Sequence, residues 1–452
     1  MKLFGTDGVR GLANAQLAPE LAFKLGRAGA YALTQEFSHA PRILVGMDTR
    51  VSGRMLEAAL NAGACSVGAK IFRAGVLPTP GIAYLVRKYN MDAGVVLSAS
   101  HNSMEDNGIK FFSREGMKLP DAMEEEIEAL IEEGLDKLPR PTGTAIGTIE
   151  EADQALEDYV EFLAGTFTDE GLLDLKGLKV AIDCANGAGS KAGPALLKRL
   201  GAEVSPIFDS PDGTNINKGC GSTHIEALCE YVKANGQDIG IALDGDGDRL
   251  ICVDETGKVV DGDQIMSICG VRLKQSGKLK KDTLVATVMS NLGLFALERE
   301  RGIHIEKTGV GDRYVLERML EIGATFGGEQ SGHVIFLDYG TTGDGLMTAL
   351  QVLKAMRQSG LPLSKLNTVI KVFPQVTVSA RVNPLLKDSW RSVKEIGEAA
   401  TSLEEKYEKT GRVLIRASGT ENVVRIMIEG EDEESLKADA KSLADLMIEK
   451  LK

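Results

Sequence analysis

No stretch of this 452-residue chain approaches the ~18 consecutive apolar residues that a membrane-spanning helix needs, and the opening MKLFGTDGVRG has no apolar core of a secretory signal. A cytoplasmic protein with no membrane partner is expected. Basic residues are outnumbered: 52 Lys and Arg against 65 Asp and Glu leave a formal charge of −13. That balance argues against a nucleic-acid partner, and any anion site must be built locally from Arg, Lys or a metal. Cysteine is sparse, with six in all (Cys65, Cys184, Cys220, Cys229, Cys252, Cys269) and no CxxC pair. Settings such as AIDCANG and LICVDE read as reduced core residues, not as a disulfide framework. What remains is an ordinary globular composition, 43% hydrophobic and 26% charged, with 51 glycines in no collagen-like period. The chain is too long for one hydrophobic core, so two to four domains are expected.

Three segments repeat one topological grammar without repeating letters: a β-branched strand, a helix, a second strand, a second helix, then a third strand ending in a polar loop. The first runs from RILVGMD to AGVVLSASHN, the second from LKVAIDC to IGIALDGDGDRL, the third from TLVATVMS to ATFGGEQSGHVIF. The fold class is therefore α/β, with three topologically similar βαβαβ domains on mixed or largely parallel sheets. A linker around SGLPLSKLNTVIKVFP leads to a smaller C-terminal α+β domain. The expected partition is 1–150, 151–254, 255–366 and 367–452, around one cleft. The acidic segment EEEIEALIEEG reads as a solvated helix.

Ligands of open α/β sheets gather at the carboxyl ends of strands, where all three unusual loops fall. In DGDGDR, Asp244, Asp246 and Asp248 alternate with glycines; carboxylates so close repel unless a divalent cation or several donors neutralise them. A solvated Asp-Gly turn is the plain alternative. An EF-hand calcium loop is another, since Glu255 falls at its twelfth position, but Arg249 occupies the required sixth glycine and strands flank the loop, so magnesium fits better. In SASHN a serine beside such a cation can act as a nucleophile or carry a phosphoryl group. GEQSGH offers Glu329, Ser331 and His333 to sugar hydroxyls, or is simply a glycine-rich turn. RASGTENVVR gathers Arg416, Ser418, Gly419, Thr420 and Arg425 into a phosphate cradle. Arg10, between glycines in FGTDGVRG, suits either a loop brace or a phosphoryl contact.

Taken together and in order, FGTDGVRG, SASHN, DGDGDR, GEQSGH and SGTE resemble the α-D-phosphohexomutase family over essentially the whole chain, and the first and fourth look like its glucosamine branch. The resemblance implies that Ser100, not Ser98, is phosphorylated for activity, and that one Mg²⁺ is bound by Asp244, Asp246, Asp248 and a phosphoryl oxygen on Ser100. It also implies that Lys110 carries a proton, with His101 and Arg249 assisting transfer, and that Glu329 to His333 bind sugar. Arg416 to Thr420, with Arg425, would bind the distal phosphate. The implied reaction interconverts glucosamine 6-phosphate and glucosamine 1-phosphate through a 1,6-bisphosphate, supplying amino-sugar and cell-wall precursors. Ser103 and Ala417 stand where the family often has proline, which bears on loop stiffness more than on reaction type. The rival readings are a phosphomannomutase or phosphoglucomutase, and a non-catalytic sugar-phosphate binder. A hexosamine phosphate is the expected partner, and a homodimer is the one macromolecular association entertained.

Overall fold

Four sheets follow one another along the chain, and the computed structural model describes residues 3–5, 7–35, 39–169, 171, 174–408, 410–418 and 422–452. The first sheet holds β1 (Val9–Leu12), β2 (Arg42–Met47), β3 (Lys70–Val76), β4 (Ala93–Leu97), β5 (Asp106–Ser113) and β6 (Ile149–Glu151), in the order β1-β5-β4-β2-β3-β6. The second holds β7 (Lys179–Asp183), β8 (Glu203–Ile207), β9 (Ile239–Leu243), β10 (Leu250–Asp254) and β11 (Val259–Val260), in the order β11-β10-β9-β7-β8. The third holds β12 (Thr283–Thr287), β13 (His304–Thr308), β14 (Phe326–Gly328) and β15 (Val334–Phe336), in the order β13-β12-β14-β15. In each, the strands of the predicted βαβαβ unit pair in parallel, and the third strand of the unit turns back into an antiparallel neighbour. The sheets are thus mixed.

The reason lies in the residues. β4 and β9 are buried at every position, AGVVL and IGIAL, as strands covered on both faces must be. Helix starts and stops are also written locally. Asp261 and Gln264 form a capping box on Gly262–Gln275, Asp344 caps Gly345–Ser359, and Gly360 closes that helix in the left-handed region.

Two compact units result: residues 1–289 with 302–369, and residues 290–301 with 370–452. The second contains the antiparallel sheet β16 (Gln375–Arg381), β18 (Val423–Glu429), β17 (Arg412–Ala417), over which Ile396, Ala400, Leu436 and Leu443 bury with Val424, Ile426 and Ile428. It also claims the helix Leu292–Arg301, which the sequence pattern places in the third βαβαβ unit. The Leu292 amide donates to Glu429 Oε1 at 2.8 Å, and Asn291 bonds Phe373 through both its amide nitrogen (2.9 Å) and its oxygen (3.0 Å). Buried hydrogen bonds outweigh chain order here. The acidic helix Asp121–Ala129 is not simply solvated either: Ile127 is buried and Glu128 accepts the amides of Leu3 and Phe4 at 2.6 and 2.8 Å. The linker contains a short helix, Leu363–Leu366. The six cysteines are free thiols, four buried and two (Cys65, Cys229) half-buried.

Candidate active site

The three polar loops are one device used three times, a hairpin between a buried strand and its antiparallel neighbour: β4 to β5, β9 to β10, β14 to β15. Ser100 has a left-handed backbone, φ 51°, which turns its hydroxyl toward the aspartate loop. Its Oγ donates to Asp244 Oδ2 at 2.6 Å and lies 3.3 Å from His101 Nδ1. Ser98 faces the other way: its Oγ donates to Asp48 Oδ2 at 2.6 Å and accepts the Ser100 amide at 2.9 Å. Only Ser100 of the two presents its hydroxyl to the carboxylates. Burial, with Arg249 and Arg10 nearby, lowers the His101 imidazole to about 4, so it is neutral near pH 7.

Asp244, Asp246 and Asp248 are all buried and each offers an oxygen within 4.8 Å of the others. The glycines between them are needed: a Cβ at Gly245 would sit 2.5 Å from the Ser100 carbonyl, and Gly247 has φ 72°. Asp244 Oδ1 accepts the Arg249 amide at 3.2 Å, while Asp246 Oδ2 accepts Thr79 Oγ1 at 2.7 Å and Lys110 Nζ at 2.8 Å. Asp246 Oδ1 and Asp248 Oδ1 are buried without a hydrogen-bond partner. Burial, then the charges of Asp248 and Asp246, push the Asp244 carboxyl well above the usual carboxylate range. Three buried carboxylates with two unspent oxygens fit a hard divalent cation. The calcium-loop alternative fails on its neighbours, because strands flank the loop and Glu255 accepts the Ser364 amide and hydroxyl instead of joining the triad.

A chain of buried and half-buried ionisable side chains runs from one loop to another. Lys110 Nζ lies 2.8 Å from both Asp246 Oδ2 and Asp7 Oδ2, Lys118 Nζ is 2.7 Å from Asp7 Oδ1 and pairs with Asp312, and Asp312 Oδ2 is 3.7 Å from His333 Nε2. His333 Nδ1 is 3.5 Å from Asp248 Oδ2, which closes the circuit on the triad. Burial opposes the Lys110 charge, but Asp246 and Asp7 outweigh it and hold the amine above its ordinary value, so it faces the triad as a cation. His333 is 3% exposed and its Nε2 accepts the Gly343 amide at 3.0 Å, which leaves its proton on Nδ1 toward Asp248. A Cβ at Gly343 would meet that ring at 2.6 Å.

On the same loop Glu329 Oε1 accepts the Gly311 amide at 3.0 Å, and burial raises its carboxyl. Ser331 is exposed. Arg249 and Arg10 complete the cationic surroundings; Arg10 pairs with Asp7. In the second compact unit Arg416 and Arg425 lie directly opposite each other on β17 and β18. Burial, together with the charge of Arg425, lowers the Arg416 guanidinium. Ser418 is buried and its carbonyl accepts Lys387 Nζ at 2.7 Å. Gly419 and Thr420 lie outside the described residues.

Sequence reasoning reached the four loops but missed Asp7, Thr79, Lys118 and Asp312. Asp7 sat in plain view inside FGTDGVRG. Lys118 and Asp312, 194 residues apart, carry no local signal, because each acquires its role only when the other is folded against it.

Models of phosphoglucomutase/phosphomannomutase domains match the chain in order: α/β/α domain I at residues 1–137, domain II at 157–257, domain III at 261–373 and the C-terminal domain at 378–446. A phosphoglucosamine mutase of Ruminiclostridium cellulolyticum is 56% identical over 442 residues, 98% of each chain. One of Acetivibrio thermocellus is 55% identical over 450 residues, 100% of this chain and 99% of that one. Among solved structures, a phosphoglucomutase/phosphomannomutase family protein from Burkholderia thailandensis superposes with a TM-score of 0.81 at 24% identity, covering 100% of this chain and 98% of its own. An Aspergillus fumigatus N-acetylphosphoglucosamine mutase, solved with GlcNAc-6P and magnesium, gives 0.74 at 19% identity, covering 100% and 96%.

Proposed function

The chain belongs to the phosphoglucomutase/phosphomannomutase family, and on that premise we propose how it interconverts glucosamine 6-phosphate and glucosamine 1-phosphate. Ser100 carries a phosphoryl group and gives it to the free hydroxyl of the hexosamine phosphate. From the resulting 1,6-bisphosphate, turned end for end, it takes back the other phosphoryl group. The observation that carries this reading is the Ser100 hydroxyl 2.6 Å from one of three buried carboxylates, two of which keep an oxygen that accepts no hydrogen bond.

Phosphoryl transfer depends mainly on in-line positioning and charge neutralisation. Asp244, Asp246 and Asp248, with a phosphoryl oxygen on Ser100, would hold a magnesium ion, which supplies a Lewis acid to offset the charge of the transferring group. Lys110 and Arg249 add fixed positive charge, and neutral His101 hydrogen-bonds at the Ser100 oxygen. Glu329 and Ser331 meet sugar hydroxyls, while His333 braces Asp248 and the sugar loop. Arg10 contacts a phosphoryl group, and Arg416, Ser418, Gly419, Thr420 and Arg425 hold the phosphate that is not reacting. Each of the four domains, 1–150, 151–254, 255–366 and 367–452, lends one of these loops. Among the described residues no helix is long and apolar enough to cross a membrane. A cytoplasmic enzyme, alone or as a homodimer, is part of this reading.

Intact-mass measurement of freshly purified protein should find one added phosphoryl group, lost in Ser100→Ala together with turnover. Ser98→Ala should keep measurable activity. Coupled assays with glucosamine, glucose and mannose 1-phosphates separate the rival mutases by their specificity constants. Normal turnover by Ser100→Ala would remove the covalent mechanism.

A further inference from the structure

Beneath the serine loop lies a buried arginine that none of the sequence motifs singled out. Arg50 is 2% exposed, and its side chain has five N–H donors in one plane. All five are spent. Nε donates to Asp48 Oδ2 at 2.8 Å, Nη2 to the carbonyls of Ser100 and Asn102 at 2.9 Å each, and Nη1 to the carbonyl of Asp106 at 3.0 Å and to that of Ser103. One guanidinium therefore holds four carbonyls of residues 100–106. Asp48 neutralises it and also accepts Ser98 Oγ, which in turn accepts the Ser100 amide. Asn217 Nδ2 adds second bonds to the Ser100 and Asn102 carbonyls, at 2.9 Å each.

We infer that Arg50 is the positioning residue that fixes the left-handed backbone of Ser100, and so the direction of its hydroxyl. The inference rests on the reading of Ser100 as the phosphoryl carrier. A left-handed serine is an uphill conformation that persists only where its surroundings impose it. Here both its carbonyl and its amide are tied to one buried ion pair. The loop also has serine at 103, where proline would stiffen it covalently; the Ser103 carbonyl is one of the four that Arg50 holds, so the guanidinium supplies the stiffness instead. Lysine cannot replace it, because a point cation cannot span four carbonyls in a plane.

Arg50→Lys keeps the charge and loses the fork. Its kcat should fall by about ten- to a hundredfold with KM within about twofold, since the reacting hydroxyl is misaimed while the sugar loop is untouched. Amide hydrogen exchange at residues 100–106 should quicken in the same variant. Arg27→Lys is the matched control: Arg27 is 1% exposed and likewise donates to carbonyls, those of Leu135, Leu138 and Pro139 at 3.4, 3.1 and 3.3 Å. It should leave kcat and those amides unchanged. Asn217→Ala, removing two of the same carbonyl contacts, should give a smaller loss of kcat, so the result does not hang on whether one variant folds. Unchanged kcat and exchange in Arg50→Lys, or an equal loss in Arg27→Lys, overturns the inference. A wild type without phosphate on Ser100 would overturn the proposed function instead, and exchange at residues 100–106 would still decide whether Arg50 sets the loop.

Discussion

Asp183 ends β7 much as Asp48 follows β2, but its partners are backbone amides: its two oxygens accept the N–H groups of Ala185 and Gly221 at 2.8 Å each. Those bonds hold a turn in which Ala185 and Asn186 have φ of 53° and 47°, and the Ala188 amide next to it donates to the Gly245 carbonyl in the aspartate loop at 2.8 Å. The carboxyl is fully buried with no cation beside it, and burial outweighs the two amides, raising it to about 6 from 3.8. A raised folded-state value means the native state holds the proton longer than the unfolded chain does. The associated stability is fully present below about pH 4 and is lost as pH rises through 6. A shift of about two units is worth about 3 kcal/mol. Denaturant unfolding of wild type and Asp183→Asn across pH 4 to 7 should show the wild type losing about that much relative to the variant, whose amide cannot titrate. Parallel curves would mean that Asp183 stays ionised throughout.

Among the elements, the antiparallel pair β17–β18 makes the sharpest claim, since it sets Arg416 and Arg425 directly opposite each other. A phosphate group is the ligand that two guanidinium groups so placed would suit. Arg425→Ala should therefore weaken substrate affinity by about ten- to a hundredfold in both reaction directions, the usual value of a charge-assisted contact. Loss of phosphate from Ser100 to water should be unaffected, since water does not use the cradle. The specificity constants, measured forward and backward beside the dephosphorylation rate, decide this; an unchanged constant in either direction removes the shared cradle. How much of this was legible in the sequence follows from how local each signal is. Strand identity and the loop after each third strand were readable, because AGVVL, IGIAL and ATFGG carry their burial in their own letters. Alternating Asp and Gly announced repulsion that something must offset. The membership of Leu292–Arg301 in the second unit was not readable, because it is decided by Glu429 and Phe373, about 140 and 80 residues away in sequence. Lys118 with Asp312 and Arg50 with its four carbonyls were hidden for the same reason: an ordinary charged residue becomes special through partners that only the fold supplies.

At the scale of the whole molecule, the chain keeps its aspartate loop in one compact unit and its single tryptophan in the other. Asp244, Asp246 and Asp248 belong to the unit of residues 1–289 and 302–369, whereas Trp390, 8% exposed, belongs to the core formed by residues 290–301 and 370–452. A ligand that binds the native state stabilises what it binds, by about 2.7 kcal/mol at a hundred times its dissociation constant. If each unit unfolds on its own, that stabilisation reaches only the unit carrying the triad. Magnesium should then raise the midpoint of the far-UV circular dichroism transition by a few degrees, because most of the secondary structure lies in the larger unit. Trp390 fluorescence should follow a transition that magnesium leaves in place. Asp246→Asn lowers the ligand charge of the triad, so its dichroism midpoint should respond only at higher magnesium concentrations, and its activity should be only partly restored by excess magnesium. If the two probes instead move together in the wild type, the units unfold as one cooperative block. If neither probe moves in any concentration of magnesium, the Asp246 and Asp248 oxygens that accept no hydrogen bond are satisfied by something other than this cation, and the assignment of the aspartate loop falls with them.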